Sequence, residues 1–156
     1  MKNFNKIIAG VAVATLLAGC GTKAVSYEKF HEKAVASQEI RSNFEYDTAT
    51  VKGSYKVDST SIALDHVFYS NGTLKEGSVA TASIALTLLS IHPENVQEDE
   101  NSTYTFYVSN GFKAVAKTDT STSTMTWNKY GLITSSVAEG TQSGVSADVD
   151  VKVSYK

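Results

Sequence analysis

Thr48-Ala49-Thr50-Val51-Lys52-Gly53-Ser54-Tyr55-Lys56-Val57-Asp58 alternates without a break: Ala49, Val51, Gly53, Tyr55 and Val57 share one face, and the polar residues between them share the other. A period of two marks a strand with one wet side, because successive side chains leave a pleated backbone in opposite directions. The last stretch of the chain repeats the pattern more clearly still. Val145, Ala147, Val149, Val151, Val153 and Tyr155 face one way, Ser146, Asp148, Asp150, Lys152 and Ser154 the other, and the chain ends inside this strand.

Working outward, residues 61–70 make a further strand with Ile62, Leu64, His66 and Phe68 on one face, closed by an Asn71-Gly72 turn. From Ser102 the chain reads as a meander. Tyr104, Phe106 and Val108 alternate with polar neighbours, Asn110-Gly111 turns into Phe112 to Thr118, a Thr/Ser-rich run leads to Met125 and Trp127, and Leu132 to Val137 follows the turn Lys129-Tyr130-Gly131. The echo between Phe68-Tyr69-Ser70-Asn71-Gly72 and the segment from Phe106 to Gly111 reflects two hairpins with the same turn chemistry rather than a duplication. Frequent threonine, valine and tyrosine suit half-exposed pleated surfaces, and the single proline, Pro93, leaves the rest free to pair.

Two segments break the period. Ser26 is placed to cap a helix running to about Arg41, with Glu28 in its first turn and Tyr27, Phe30, Ala34, Ser37 and Ile40 roughly along one face. In Ser78 to Ile91, Val79, Ala82, Leu86 and Leu89 recur at helical spacing, with Ile84, Leu88 and Ile91 extending the stripe, which predicts a buried helix ended by Pro93. The expected fold is α+β: an antiparallel sheet of about seven strands with an N-terminal and a second, buried helix, one domain over residues 26–156.

The N-terminus is of another kind. Lys2 and Lys6 precede an apolar run from Ile7 to Leu17, a secretory leader by charge order and shorter than the roughly 20 apolar residues of a spanning helix. Leu17-Ala18-Gly19-Cys20, ending on the only cysteine of the chain, resembles the lipobox of bacterial lipoproteins. That resemblance implies peptidase recognition of Leu17, Ala18 and Gly19, removal of residues 1–19, and a lipidated Cys20 as the new N-terminus. Residues 20–25 would then be a tether, and the protein would sit on the extracytoplasmic face of the cell membrane, held by acyl chains worth ~0.8 kcal/mol per buried methylene. An ordinary signal peptide with an incidental cysteine, or an uncleaved anchor, are the other readings. In each the mature domain has no disulfide and relies on burial alone.

Loss of Lys2 and Lys6 leaves 12 basic against 16 acidic side chains, net −4, over 137 of the 156 residues. A mildly acidic domain has no general attraction for phosphate backbones, which argues against nucleic acid. No nucleophile elbow, Walker loop, His-Glu-x-x-His or dinucleotide glycine pattern is present, so no catalytic residue, cofactor or enzymatic role is expected. His31, His66 and His92 fall in a helix, a strand and a loop, and no metal site is expected from them. Glu98-Asp99-Glu100 lacks the alternating oxygens and glycine of a calcium loop and reads as a solvated acidic loop. The triplets Asn71-Gly72-Thr73 and Asn101-Ser102-Thr103 carry no glycosylation in a bacterial lipoprotein.

Eight tyrosines, the phenylalanines and Trp127 fall largely on the strands. They serve as core and cross-strand pairs, or they line a concave face around an apolar ligand. The order helix, two strands, helix and five-strand meander resembles the half-barrel lipoprotein carriers and lipid-binding proteins of bacterial envelopes (the LolA and LppX type), and Trp127-Asn128-Lys129-Tyr130-Gly131-Leu132 is similar to a motif of small lipoproteins of low-GC bacteria. The half-barrel resemblance implies a strongly bent sheet with the 78–91 helix against its concave face. Tyr55, Leu64, Phe68, Leu86, Phe106 and Trp127 would line a site for a lipid or other apolar ligand. The alternative is a structural or protein-interaction module with a solid core. Oligomeric state is not legible in the sequence.

Overall fold

The computed structural model describes residues 23–142 and 144–156. The segment expected to be a leader, with Leu17, Ala18, Gly19 and the acylation candidate Cys20, lies outside the described residues. Among the described residues, no helix is long and apolar enough to cross a membrane.

Over the described residues the protein is α+β, an open, curved, nine-stranded antiparallel sheet with two α-helices. In chain order the elements are β1 (Ala24–Val25), α1 (Tyr27–Ser42), β2 (Thr48–Val57), β3 (Thr60–Tyr69), β4 (Leu74–Glu76), α2 (Val79–Leu89), a 3-10 turn (Pro93–Asn95), β5 (Thr103–Val108), β6 (Gly111–Lys117), β7 (Ser121–Asn128), β8 (Ile133–Gln142) and β9 (Val145–Tyr155). The spatial order is β1-β5-β6-β7-β8-β9-β2-β3-β4. The count exceeds the expected seven by β1 and β4, of two and three residues, too short for any period to show. Ala24 and Val25, assigned above to the tether, pair with Tyr107 and Phe106, so the chain is secured to the sheet edge before the first helix begins.

The two most regular strands are neighbours at the centre of the sheet. Ala49 pairs with Tyr155, Val51 with Val153, Tyr55 with Val149 and Val57 with Ala147. Burial of one face fixes this register, since a slip of one residue would turn the buried Val149, Val151 and Val153 of β9 to water. Gly53 sits opposite Val151, and a Cβ there would come within 2.7 Å of the Val151 Cα.

Helix α1 begins where the sequence places it: the Ser26 side chain accepts from Lys29 N–H at 3.1 Å, filling one of the donors a helix start leaves open. Phe30, Ala34 and Ser37 are its buried residues. Phe30 is the hub of the core, 4.7 Å from Phe106, 5.8 Å from Phe112 edge-on and 6.3 Å from Trp127, centroid to centroid. Phe106, Phe112 and Trp127 share the inner face of β5, β6 and β7 by register, so α1 covers that end of the concave side.

The segment Trp127 to Leu132 is the junction of the fold. Asn128 Oδ1 accepts from Tyr130 N–H and Leu132 N–H at 3.0 and 3.1 Å, closing the β7–β8 turn. Arg41, at the end of α1, donates to the Tyr130 carbonyl at 3.1 Å and forms an ion pair with Glu94 of the 3-10 turn. Gly131 has φ +74°, and a Cβ there would overlap Arg41 Nη1 and stand 2.8 Å from Ser37 Oγ. Tyr130 stacks on Phe44 at 4.0 Å, and His92 bonds to the Gly131 carbonyl through Nδ1 at 3.0 Å.

Candidate functional site

α2 crosses the concave face and is held at both ends. At its start the buried His66 of β3 reaches the Ser78 carbonyl through Nε2 at 3.1 Å and stands 3.0 Å from Thr81 Oγ1. Asp65 N–H donates to the other ring nitrogen at 3.2 Å, which puts the ring proton on Nε2. Just beyond its end, Trp127 Nε1–H donates to the Ile91 carbonyl at 2.9 Å. Between these two points α2 contributes Ala85 and Leu88 to the core, while Val79 and Leu86 remain 82% and 39% exposed. The helix is thus half-buried, and it carries no charged residue.

Where α2 leaves the sheet uncovered, a cleft of about 470 Å³ opens, within the size range of small-molecule sites. Its helical wall is Ile84, Thr87 and Leu88, continued by Ile91. The floor is Tyr55 and Val57 of β2, Ser123 and Met125 of β7, Ser136 and Ala138 of β8, and Ala147 and Val149 of β9. One lateral row explains the floor: Tyr55 pairs with Val149, Val149 with Ala138 and Ala138 with Ser123. Small residues at its middle leave a trough; a row of leucines would fill it. None of the lining groups is ionisable except the Tyr55 phenol, so the site suits an uncharged, apolar occupant.

Of the six residues expected to line a ligand site, Tyr55 alone lines this cleft. Leu64, Phe68, Phe106 and Trp127 are 1–3% exposed and packed in the solid core, because α1 and α2 press directly on their part of the sheet. Leu86 lies on the outer side of α2 and faces away from the cleft. Ser123, Ser136, Ala138 and Ala147 escaped the sequence reading. Their signal was a small residue at successive inward positions of three strands, visible only once the register aligns them.

The other polar groups are structural. His31, 5.7 Å from Tyr27 ring to ring, His66 and His92 belong to separate elements, and among the described residues no group of three or more His, Cys, Asp or Glu could hold a metal ion. In the acidic loop, Asp99 accepts from the Tyr104 hydroxyl at 2.7 Å and from Asn101 N–H at 2.9 Å. The Tyr104 hydrogen bond holds the Asp99 carboxyl below the usual range. Burial, reinforced by that carboxylate, pushes the Tyr104 phenol up to about 12. Asp99→Asn is expected to bring Tyr104 part of the way back toward the ordinary value of 10.0, leaving it still raised because burial is the larger cause. Ultraviolet titration of tyrosinate, with Tyr104→Phe to assign the transition, checks this; an unchanged midpoint would refute the pairing.

Compared with known proteins, the chain matches no family model, no curated protein and no solved structure.

Proposed function

We propose that this protein is a non-catalytic binding module, anchored by an acylated Cys20 to the extracytoplasmic face of a cell membrane, that holds a lipid chain or similar apolar ligand in the cleft beside α2. The cleft carries this reading: an uncharged trough between a helix and four strands, lined by Tyr55, Met125, Val149, Ile84, Leu88 and Ile91. Burying an acyl chain there releases about 25 cal/mol for each Å² of apolar surface withdrawn from water. The lipobox-like Leu17-Ala18-Gly19-Cys20 supports the location.

Filling the trough tests the site. Ala138→Phe places a ring over Ser123 and Val149, its neighbours in the row, and is expected to weaken binding of a fluorescent fatty acid at least about tenfold, or 1.4 kcal/mol. Far-ultraviolet circular dichroism should be unchanged. Equal binding by the variant and the parent would remove the cleft as the site.

A second reading has its own observation. The close packing of Leu64, Phe68, Phe106 and Trp127 fills most of the concave side, as a structural or protein-interaction module with a solid core would. Native mass spectrometry separates the two: co-purifying lipid supports the binding module, and a clean apo mass with no uptake of a hydrophobic dye supports the solid-core module.

A further inference from the structure

At one end of the sheet the outermost strand, β4, covers only part of its neighbour: Val67 of β3 pairs with Glu76 and Phe68 with Leu74. Ahead of that point β3 is itself the edge. Tyr69 N–H reaches the Thr73 carbonyl on the β4 side at 2.8 Å, and Ser70 N–H reaches the Asp47 carbonyl on the β2 side at 3.2 Å. The register with β2 runs unbroken from there to Thr60, so by the alternation of an antiparallel ladder the main-chain groups of Ser61, Ala63 and Asp65 turn outward. Among the described residues, no strand or turn pairs with Ser61 or Ala63 on that side.

Asp65 closes the opening. Its N–H is taken by His66 Nδ1 at 3.2 Å, and its carbonyl lies against Gly77, where a Cβ would come within 2.8 Å of it. What stays open is Thr60-Ser61-Ile62-Ala63-Leu64, a stretch without charge, proline or glycine. Thr60, Ser61 and Ala63 are exposed and Ile62 is half-buried. Proteins ordinarily blunt a bare edge with lysine, proline or a bulge; this stretch has none of them.

We propose that this edge pairs with the same edge of a second copy of the chain, antiparallel and two-fold about Ile62. The open stretch is complementary to itself. Its outward groups belong to Ser61 and Ala63, equidistant from Ile62, so the axis sets Ser61 of each copy against Ala63 of the other, and each pair exchanges both its N–H and C=O groups. No other axis serves as well. One about Ala63 requires Asp65, whose N–H is already engaged, and one about Ser61 requires Ser59, which lies in the β2–β3 turn. On the inner face Ile62 is the neighbour of Tyr55, which lines the cleft. The pairing therefore sets Ile62 against Ile62 and joins the row Ala138, Val149, Tyr55 of one copy to that of the other. So short a pairing makes a small interface, and the dimer forms reversibly with concentration.

The test uses the full-length chain in detergent with Cys20→Ser, which leaves an introduced cysteine as the only thiol. Ile62→Cys brings its two Cα atoms to about 4.5 Å across the axis, within disulfide reach. Thr60→Cys leaves its thiols roughly 13 Å apart along the strands. Mild oxidation is expected to link Ile62→Cys into a dimer several-fold more than Thr60→Cys. Adding Ser61→Lys and Ala63→Lys, which set like charges directly opposite one another at positions exposed in the single chain, is expected to abolish the link with circular dichroism unchanged. Sedimentation of the chain without an added cysteine should show its mass rising toward twice that of the monomer with concentration. Equal linking at positions 60 and 62, linking that survives the paired lysines, or a monomer at every concentration overturns the proposal.

Discussion

Phe30→Ala is expected to destabilise the domain by about 3–5 kcal/mol, the range for removing a large buried aromatic side chain. Phe30 has no solvent exposure and touches three aromatic rings on three different strands. Its loss therefore leaves a cavity whose walls belong to separate elements and cannot close together. The edge-on contact with Phe112 adds a directional component that an aliphatic replacement cannot reproduce, so Phe30→Leu should recover only part of the loss. Urea unfolding followed by tryptophan fluorescence measures both variants, since Trp127 reports from the same cluster. A cost below about 1 kcal/mol, the ordinary value for a point substitution, would mean that α1 is not seated on the sheet as described.

Arg41→Leu should be the other severe substitution, and its signature is a weakened acid dependence. Glu94 is 9% exposed. Burial alone would raise its pKa, but the hydrogen bond and charge of Arg41, with hydrogen bonds from the Glu94 backbone and from Gln38, outweigh burial and hold the carboxyl below the ordinary value of 4.5. A depressed folded value means that the parent protein has this contribution in full above the unfolded pKa and loses it as pH falls through the folded one. Without Arg41, burial is opposed only by the hydrogen bonds from the Glu94 backbone N–H and from Gln38, so the carboxyl rises from its value in the parent and the variant loses less stability as pH falls. At neutral pH the loss is expected to be about 3 kcal/mol, the low end for breaking a buried pair because the Arg41 side chain keeps 17% exposure. Part of that loss is the bond to the Tyr130 carbonyl. Denaturation midpoints from pH 3 to 8 decide the matter, and a variant whose stability falls toward acid as steeply as that of the parent would refute the account.

Legibility followed the range of the interaction. The alternation in β2, β3 and β9 and the helical stripes of α1 and α2 are local, so periodicity alone placed these elements close to their true bounds. β1 and β4 were illegible because two or three residues hold no period; each exists only because a neighbouring strand presents an unpaired edge. Trp127 to Leu132 stood out as a motif without a stated role. Its role is to bring the ends of α1 and α2 together on one hairpin, which requires Arg41, Glu94 and Gly131 to meet from distant parts of the chain. Aromatic content misdirected the site: large rings on the inner face are where packing is densest, and a trough forms where residues are small.

Chain-local chemistry thus determined the lone thiol, the α+β class and the inward face of each long strand, because each is written in adjacent residues. Tertiary structure alone decided that β9 lies between β8 and β2, that α2 covers only part of the concave face, and that Ser123, Ala138 and Val149 line up beneath its edge. These depend on which strands pair and in what register, and that choice is made by the summed burial of many distant side chains at once.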